Sequence, residues 1–223
     1  MHNILAIGAH PDDIELGCAG SLLKFKEIGC NVIYAIMTNG ENWNMKKEDI
    51  RIIEQQNACN ELGVDKIYWM KLKDGSLKVD TKIIDEIEKI ILENDIDIVF
   101  SNYKNDTHQD HMELFKIVES ATRFCPNVFY YEGLSSKGFE PNIFFDISIY
   151  IERKKNIINK FESQVTKYNN RNFNLIELIE CKNRINGIKL GQKYAEGFKV
   201  GKANFDKLFL RSDITDYKTK TFV

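Results

Sequence analysis

At 223 residues and 25.9 kDa, with 43% hydrophobic and 11% aromatic residues, the chain can bury one substantial core, and a single domain is the economical division. Lys+Arg 31 against Asp+Glu 33 leaves a formal net charge of −2, which argues against nucleic acid as a main partner because phosphate binding needs a basic surface. No run approaches the ~18 apolar residues of a membrane span, and the first residues lack the cationic start of a signal peptide, so a cytoplasmic protein is expected.

The predicted elements alternate through the first half. Ile4–Gly8 is an apolar run of strand length, Ala19–Ile28 has helical spacing and stops at Gly29, and Val32–Met37 is a second strand closed by Thr38-Asn39-Gly40. Lys47–Leu62 reads as a helix ending at Gly63, Lys66–Lys71 as a strand, Lys82–Glu93 as a helix and Ile96–Ser101 as another apolar strand. A helix from about His111 to Ala121 and a strand Val128–Tyr131 follow. The pattern predicts an α/β fold, a mostly parallel sheet flanked by helices, with ligands bound beyond the carboxyl ends of the strands. The second half is less regular. Asn142–Ile147 is strand-like, Ile149–Gln164 reads as one amphipathic helix, Lys167–Asn174 ("KYNNRNFN") as a loop, and Ile176–Lys199 as one or two helices around Gly187 and Gly191.

The apolar start breaks into His10-Pro11-Asp12-Asp13, and charge beside a buried strand is costly unless something compensates it. Of the four histidines, His10, His108 and His111 each follow a predicted strand, while His2 lies at the terminus. Each of the three is flanked by acids: Asp12 and Asp13 in the first case, Asp106 and Asp110 ("NDTHQDHMELF") in the second. Imidazole and carboxylate suit Zn²⁺, with Fe²⁺ or Mn²⁺ as competitors, and three protein ligands with one open position describe a catalytic metal site. His10 and Asp13 can converge on one ion across the turn after Pro11, with His111 able to complete the set. Alone, HxxD at a helix start is better read as a cap with dipole-favoured acids; the second cluster tips the balance. The five cysteines contain no CxxC pair and read as small buried side chains. Arg51 can reach a site mouth to bind a substrate hydroxyl or phosphate. Trp43, Tyr103 and Tyr131 read as core rather than as sugar platforms.

Together, "AHPDDIELGCAG" (Ala9–Gly20) and "THQDH" (Thr107–His111) resemble the PIG-L/LmbE family of zinc-dependent N-acetylglucosaminyl deacetylases. "TNGE" at Thr38–Glu41, "RIIE" at Arg51–Glu54, "LGV" at Leu62–Val64, "SQ" at Ser163-Gln164 and "YAEGF" at Tyr194–Phe198 extend the likeness in the same order, from Ile4 to about Val200. The resemblance implies a Rossmann-like single domain over residues 1–223, Zn²⁺ as cofactor, and hydrolysis of an N-acetyl group from an N-acetylglucosamine-type conjugate, a carbon–nitrogen bond other than a peptide bond. By position it makes His10, Asp13 and His111 the metal ligands, and Asp12 the general base. His108, as a cation, becomes the oxyanion-stabilising group, and Asp110 the acid that orients and charges it. Gln109 stands where the family often has proline. The implied partner is a small amino-sugar conjugate, and a homo-oligomer is compatible with the likeness. Two other readings stay open: a metal-dependent phosphoesterase, which needs more ligands from further strands, and a non-catalytic metal- or sugar-binding module, which needs neither Asp12 nor His108. Gly8-Ala9-His10 is not a dinucleotide GxGxxG turn.

Overall fold

The computed structural model describes residues 1–41 and 50–209. Alternation along the first strand sends Ile4 and Ala6 to one face of a sheet and Leu5, Ile7 and Ala9 to the other, and all five are fully buried. A strand covered on both sides requires this. In chain order the elements are β1 (Asn3–Gly8), α1 (Asp13–Glu27), β2 (Asn31–Thr38), α2 (Ile50–Leu62), β3 (Lys66–Leu72), α3 (Thr81–Glu93), β4 (Ile98–Asn102), α4 (Gln109–Ala121) and β5 (Asn127–Tyr131). They continue with β6 (Ile143–Asp146), α5 (Ile151–Ile158), α6 (Glu162–Asn169), α7 (Leu175–Leu190), β7 (Ala195–Lys202) and the short α8 (Phe205–Phe209). One seven-stranded sheet results, in the order β3-β2-β1-β4-β5-β7-β6. β1 to β5 pair in parallel, and β7 runs antiparallel to both β5 and β6. The expected single α/β domain is what the chain forms. Side chains of α1, α2 and α5 cover one face (Ile14, Leu22, Ala58, Ile157), and those of α3 and α4 the other (Ile87, Ile90, Leu114, Ile117).

Four departures from the expected elements have physical causes. α1 begins at Asp13, six residues earlier than its periodicity suggests, because Gly17 and Gly20 belong inside it. A Cβ on Gly17 would lie 2.2 Å from the Tyr131 ring and one on Gly20 2.9 Å from Ile147, so their weak helix propensity is the cost of close approach to the sheet. The helix expected over Ile149–Gln164 divides into α5 and α6, with fully buried Phe161 turned into the core between them (φ −88°, ψ 58°). α6 then continues through Lys167–Asn169, the start of the segment read as a loop. Finally, the helical reading of Ile176–Lys199 fails beyond Leu190: Gly191 at φ 73° ends α7, and β7 takes over from Ala195. Two glycines mask that strand, Gly197 packing on Pro141 and Gly201 on the Tyr130 ring. The helix read from Lys47 is described from Ile50; Trp43 and residues 47–49 lie outside the described residues. Among the described residues no helix is long and apolar enough to cross a membrane.

Candidate metal centre and active site

β1 is flanked by β2 on one side and β4 on the other, so the chain leaves it in opposite directions. Such a switch point opens a crevice beyond the carboxyl ends of the strands. The loop after β1 carries His10–Asp13, and the loop after β4 carries Asp106, His108 and the start of α4. His10, Asp12 and Asp13 from the first cluster and His108 and His111 from the second line one cavity of about 340 Å³, together with Arg51, Asp74 and α6 residues Gln164, Lys167 and Tyr168. Tyr103 and Tyr131 are buried in the core and do not line it.

Three atoms form a near-equilateral triangle. His10 Nδ1 lies 3.4 Å from Asp13 Oδ2, His111 Nε2 lies 3.3 Å from the same oxygen, and the two nitrogens are 3.3 Å apart. A tetrahedral zinc with bonds of roughly 2.0–2.1 Å separates its ligand atoms by about 3.4 Å, so the residues fit such an ion. The opposite nitrogen of each imidazole faces acid. His10 Nε2 lies 3.0 Å from Asp74 Oδ1 and 3.2 Å from Asp110 Oδ2, and His111 Nδ1 lies 3.2 Å from Asp106 Oδ2. Carboxylates only accept, so with a metal in the triangle the distal nitrogens would carry the protons, the second-layer arrangement typical of metal-bound histidine, although His111 Nδ1 and Asp106 make an ion-pair contact rather than an aligned hydrogen bond. Asp106 is held by both Ser135 and Ser136 hydroxyls and by the His108 N–H.

The electrostatics call for a cation. Burial opposes charge on both imidazoles, yet Asp110, Asp13 and Asp74 hold His10 well above the ordinary value, and Asp13 and Asp106 push His111 up to about 10. Burial likewise opposes ionisation of Asp13, but His111 and His10 hold it well below the usual carboxylate range. Two further groups that share His10 also have metal-ligand spacing, His10 with His108 and His111, and His10 with Asp74 and Asp110. In the latter, Asp110 is already occupied by the N–H groups of Gly75 (2.7 Å) and Leu77 (3.0 Å).

Asp12 stands beside the triangle rather than in it. Its Oδ1 is 3.1 Å from Arg51 Nη2, its amide donates to Gln55 Oε1 at 3.1 Å, and burial raises its pKa to about 6 against the pull of Arg51. Arg51 lines the cavity, but it is only 8% exposed and donates to the Pro11 carbonyl as well as pairing with Asp12.

Two expected relationships need correction. The Asp110 carboxylate does not turn to His108; it faces His10 and ties down the loop after β3. What reaches His108 is the Asp110 N–H, 3.3 Å from Nδ1, with His108 acting as the N-cap of α4. An Nδ1 that accepts carries no proton, and burial together with His10 and His111 pulls the pKa of His108 down. Asp110 and Asp13 pull the other way, and the net direction disfavours the expected imidazolium.

Sequence reading also missed Asp74. Its signal was the Asp-Gly step just after the third strand, at the same end of the sheet as the two clusters.

The PIG-L family model, GlcNAc-PI de-N-acetylase, matches residues 5–122. The chain belongs to this family. It is 34% identical over 148 residues to the uncharacterized deacetylase YaiS of Escherichia coli, covering 63% of this chain and 80% of that one. It is 26% identical over 227 residues to the diacetylchitobiose deacetylase of Thermococcus kodakarensis, covering 89% and 83%. Among solved structures, the N,N′-diacetylchitobiose deacetylase of Pyrococcus horikoshii, complexed with an inhibitor, superposes with a TM-score of 0.76 at 25% identity, covering 96% of this chain and 88% of that one.

Proposed function

We propose that this PIG-L protein is a metal-dependent N-deacetylase that removes acetyl from an N-acetylglucosamine-type conjugate, with His10, Asp13 and His111 holding Zn²⁺, or Fe²⁺ or Mn²⁺ in its place. The observation that carries the reading is a three-ligand triangle with a buried carboxylate, Asp12, standing next to it and outside it. A structural metal site or a binding module has no use for that second acid. Zinc held there supplies an acidified water (pKa ~7) and an electron-withdrawing partner for an amide carbonyl.

The chain's own groups do the rest. Asp12 takes the proton from the attacking water and returns it to the leaving amine, which departs protonated. His108 donates its Nε2–H to the developing oxyanion without changing its own charge. Asp110, Asp74 and Asp106 keep the two ligating imidazoles in their tautomers. The cavity, near the small end of the roughly 300–1,000 Å³ range of ligand sites, has room for one amino-sugar unit, and the two deacetylases of chitobiose among its relatives support that substrate class.

Metal analysis of the purified protein, followed by acetate release from a panel of N-acetylglucosaminyl compounds, tests the reading. About one metal per chain with amide turnover is expected. Two metals per chain with phosphodiesterase turnover would replace it with the phosphoesterase reading, and metal without any turnover would leave a binding module.

A further inference from the structure

Asp12 occupies the left-handed region, φ 93° and ψ −23°, which non-glycine residues hold only where their surroundings impose it. Two residues of α2, one turn apart, impose it here. Arg51 grips the Pro11 carbonyl and the Asp12 carboxylate, and Gln55 Oε1 accepts the Asp12 N–H at 3.1 Å. The orientation of the Gln55 carboxamide is forced. A backbone N–H only donates, so Oε1 must face Asp12, leaving Nε2 for Glu15 Oε1 at 2.7 Å and Cys59 Sγ at 3.3 Å. Gln55 and Glu15 are both fully buried, and neither lines the cavity. A buried carboxyl is costly, and this one holds the amide that holds the base.

We propose that Gln55 is a positioning residue: with Glu15 behind it, it locks the Asp12 peptide in the left-handed turn, so that the Asp12 carboxylate stands beside the His10–Asp13–His111 triangle and does not swing in as a further ligand. The kinetic side of this proposal rests on the deacetylase reading; the placement of Asp12 relative to a bound metal does not.

Gln55→Leu keeps most of the volume and removes the acceptor. In the zinc-loaded protein, kcat for acetate release from N,N′-diacetylchitobiose should fall ~10–100-fold, with KM and zinc content unchanged. The exchange Glu15→Gln with Gln55→Glu puts an acceptor back under the Asp12 N–H and should recover most of the loss. In the cobalt(II)-loaded protein, Gln55→Leu should alter the visible absorption as Asp12 enters the coordination sphere, and the exchange should restore it. A Gln55→Leu protein with wild-type kcat per zinc and an unchanged cobalt spectrum would overturn the proposal. If Gln55→Leu does not fold, a folded exchange variant with a displaced cobalt spectrum overturns it equally. Should the wild-type protein release no acetate from any compound tested, the deacetylase reading falls, and the cobalt spectra alone decide the role of Gln55.

Discussion

Replacing Glu15 by glutamine should remove a loss of stability that wild-type protein suffers as pH rises. Glu15 is fully buried on α1; Oε1 accepts from Gln55, while Oε2 has no hydrogen-bond partner, nor does the nearby buried Tyr34 hydroxyl. Burial raises its pKa from 4.5 to about 8. The folded protein therefore keeps this proton up to about pH 8, while the unfolded chain releases it near 4.5. The contribution to stability is complete below pH 4.5 and is lost as pH climbs through 8. At about 1.4 kcal/mol per pH unit, the advantage of Glu15→Gln grows to about 3 kcal/mol at pH 7 and levels off at about 5 kcal/mol above pH 8. Glutamine mimics the protonated acid in shape, so the two proteins should differ by less than ~1 kcal/mol at pH 5. Urea denaturation of both from pH 5 to 9, at matched metal content, gives the difference directly, because other titrating groups cancel. Parallel profiles would mean that Glu15 is ionised in the fold, and that Gln55 does not face a neutral acid.

Asp12→Asn should retain metal and lose ~10²–10⁴ in kcat; loss of metal in proportion to activity would make Asp12 a ligand instead. His111→Ala should abolish stoichiometric metal binding, whereas His108→Ala should keep it and lose ~10²–10³ in kcat, a contrast that metal analysis reads without any substrate. Lys154→Met should cost ~3–5 kcal/mol in urea unfolding. Lys154 Nζ lies 2.6 Å from Glu196 with both side chains 1% exposed, and Glu196 also accepts the Gly20 and Ser21 N–H groups inside α1. A cost below ~1 kcal/mol would show that the pair is hydrated.

The local features of the sequence carried the parallel half of the fold. Alternation and run length placed β1 to β5, and glycines after helical runs placed the ends of α1 and α2, because these signals report burial within one segment. β7 was illegible for the opposite reason. Gly197 and Gly201 make its pattern weak, and each is a glycine because a residue from another strand or loop, Tyr130 or Pro141, packs against it. The break at Phe161 belongs to the same class, since only the core to which that ring turns explains it.

The site divides along the same line. By itself the sequence singled out the side chains proposed to carry the chemistry. His10, Asp12 and Asp13 share one turn, His108, Asp110 and His111 another, and the spacing within each cluster depends on local backbone alone. Their electrostatic states were decided only by the tertiary structure. The protons on His10 are set by Asp74 and Asp110, 64 and 100 residues away in sequence, and the peptide of Asp12 by Gln55, 43 residues away. The charge expected on His108 is disfavoured because burial and two neighbouring imidazoles outweigh the pull of Asp110, whose carboxylate is hydrogen-bonded to His10. Adjacency along the chain says which groups are available. The direction in which a carboxylate points follows from the hydrogen bonds that other elements offer it, and those exist only once the sheet has brought the loops together.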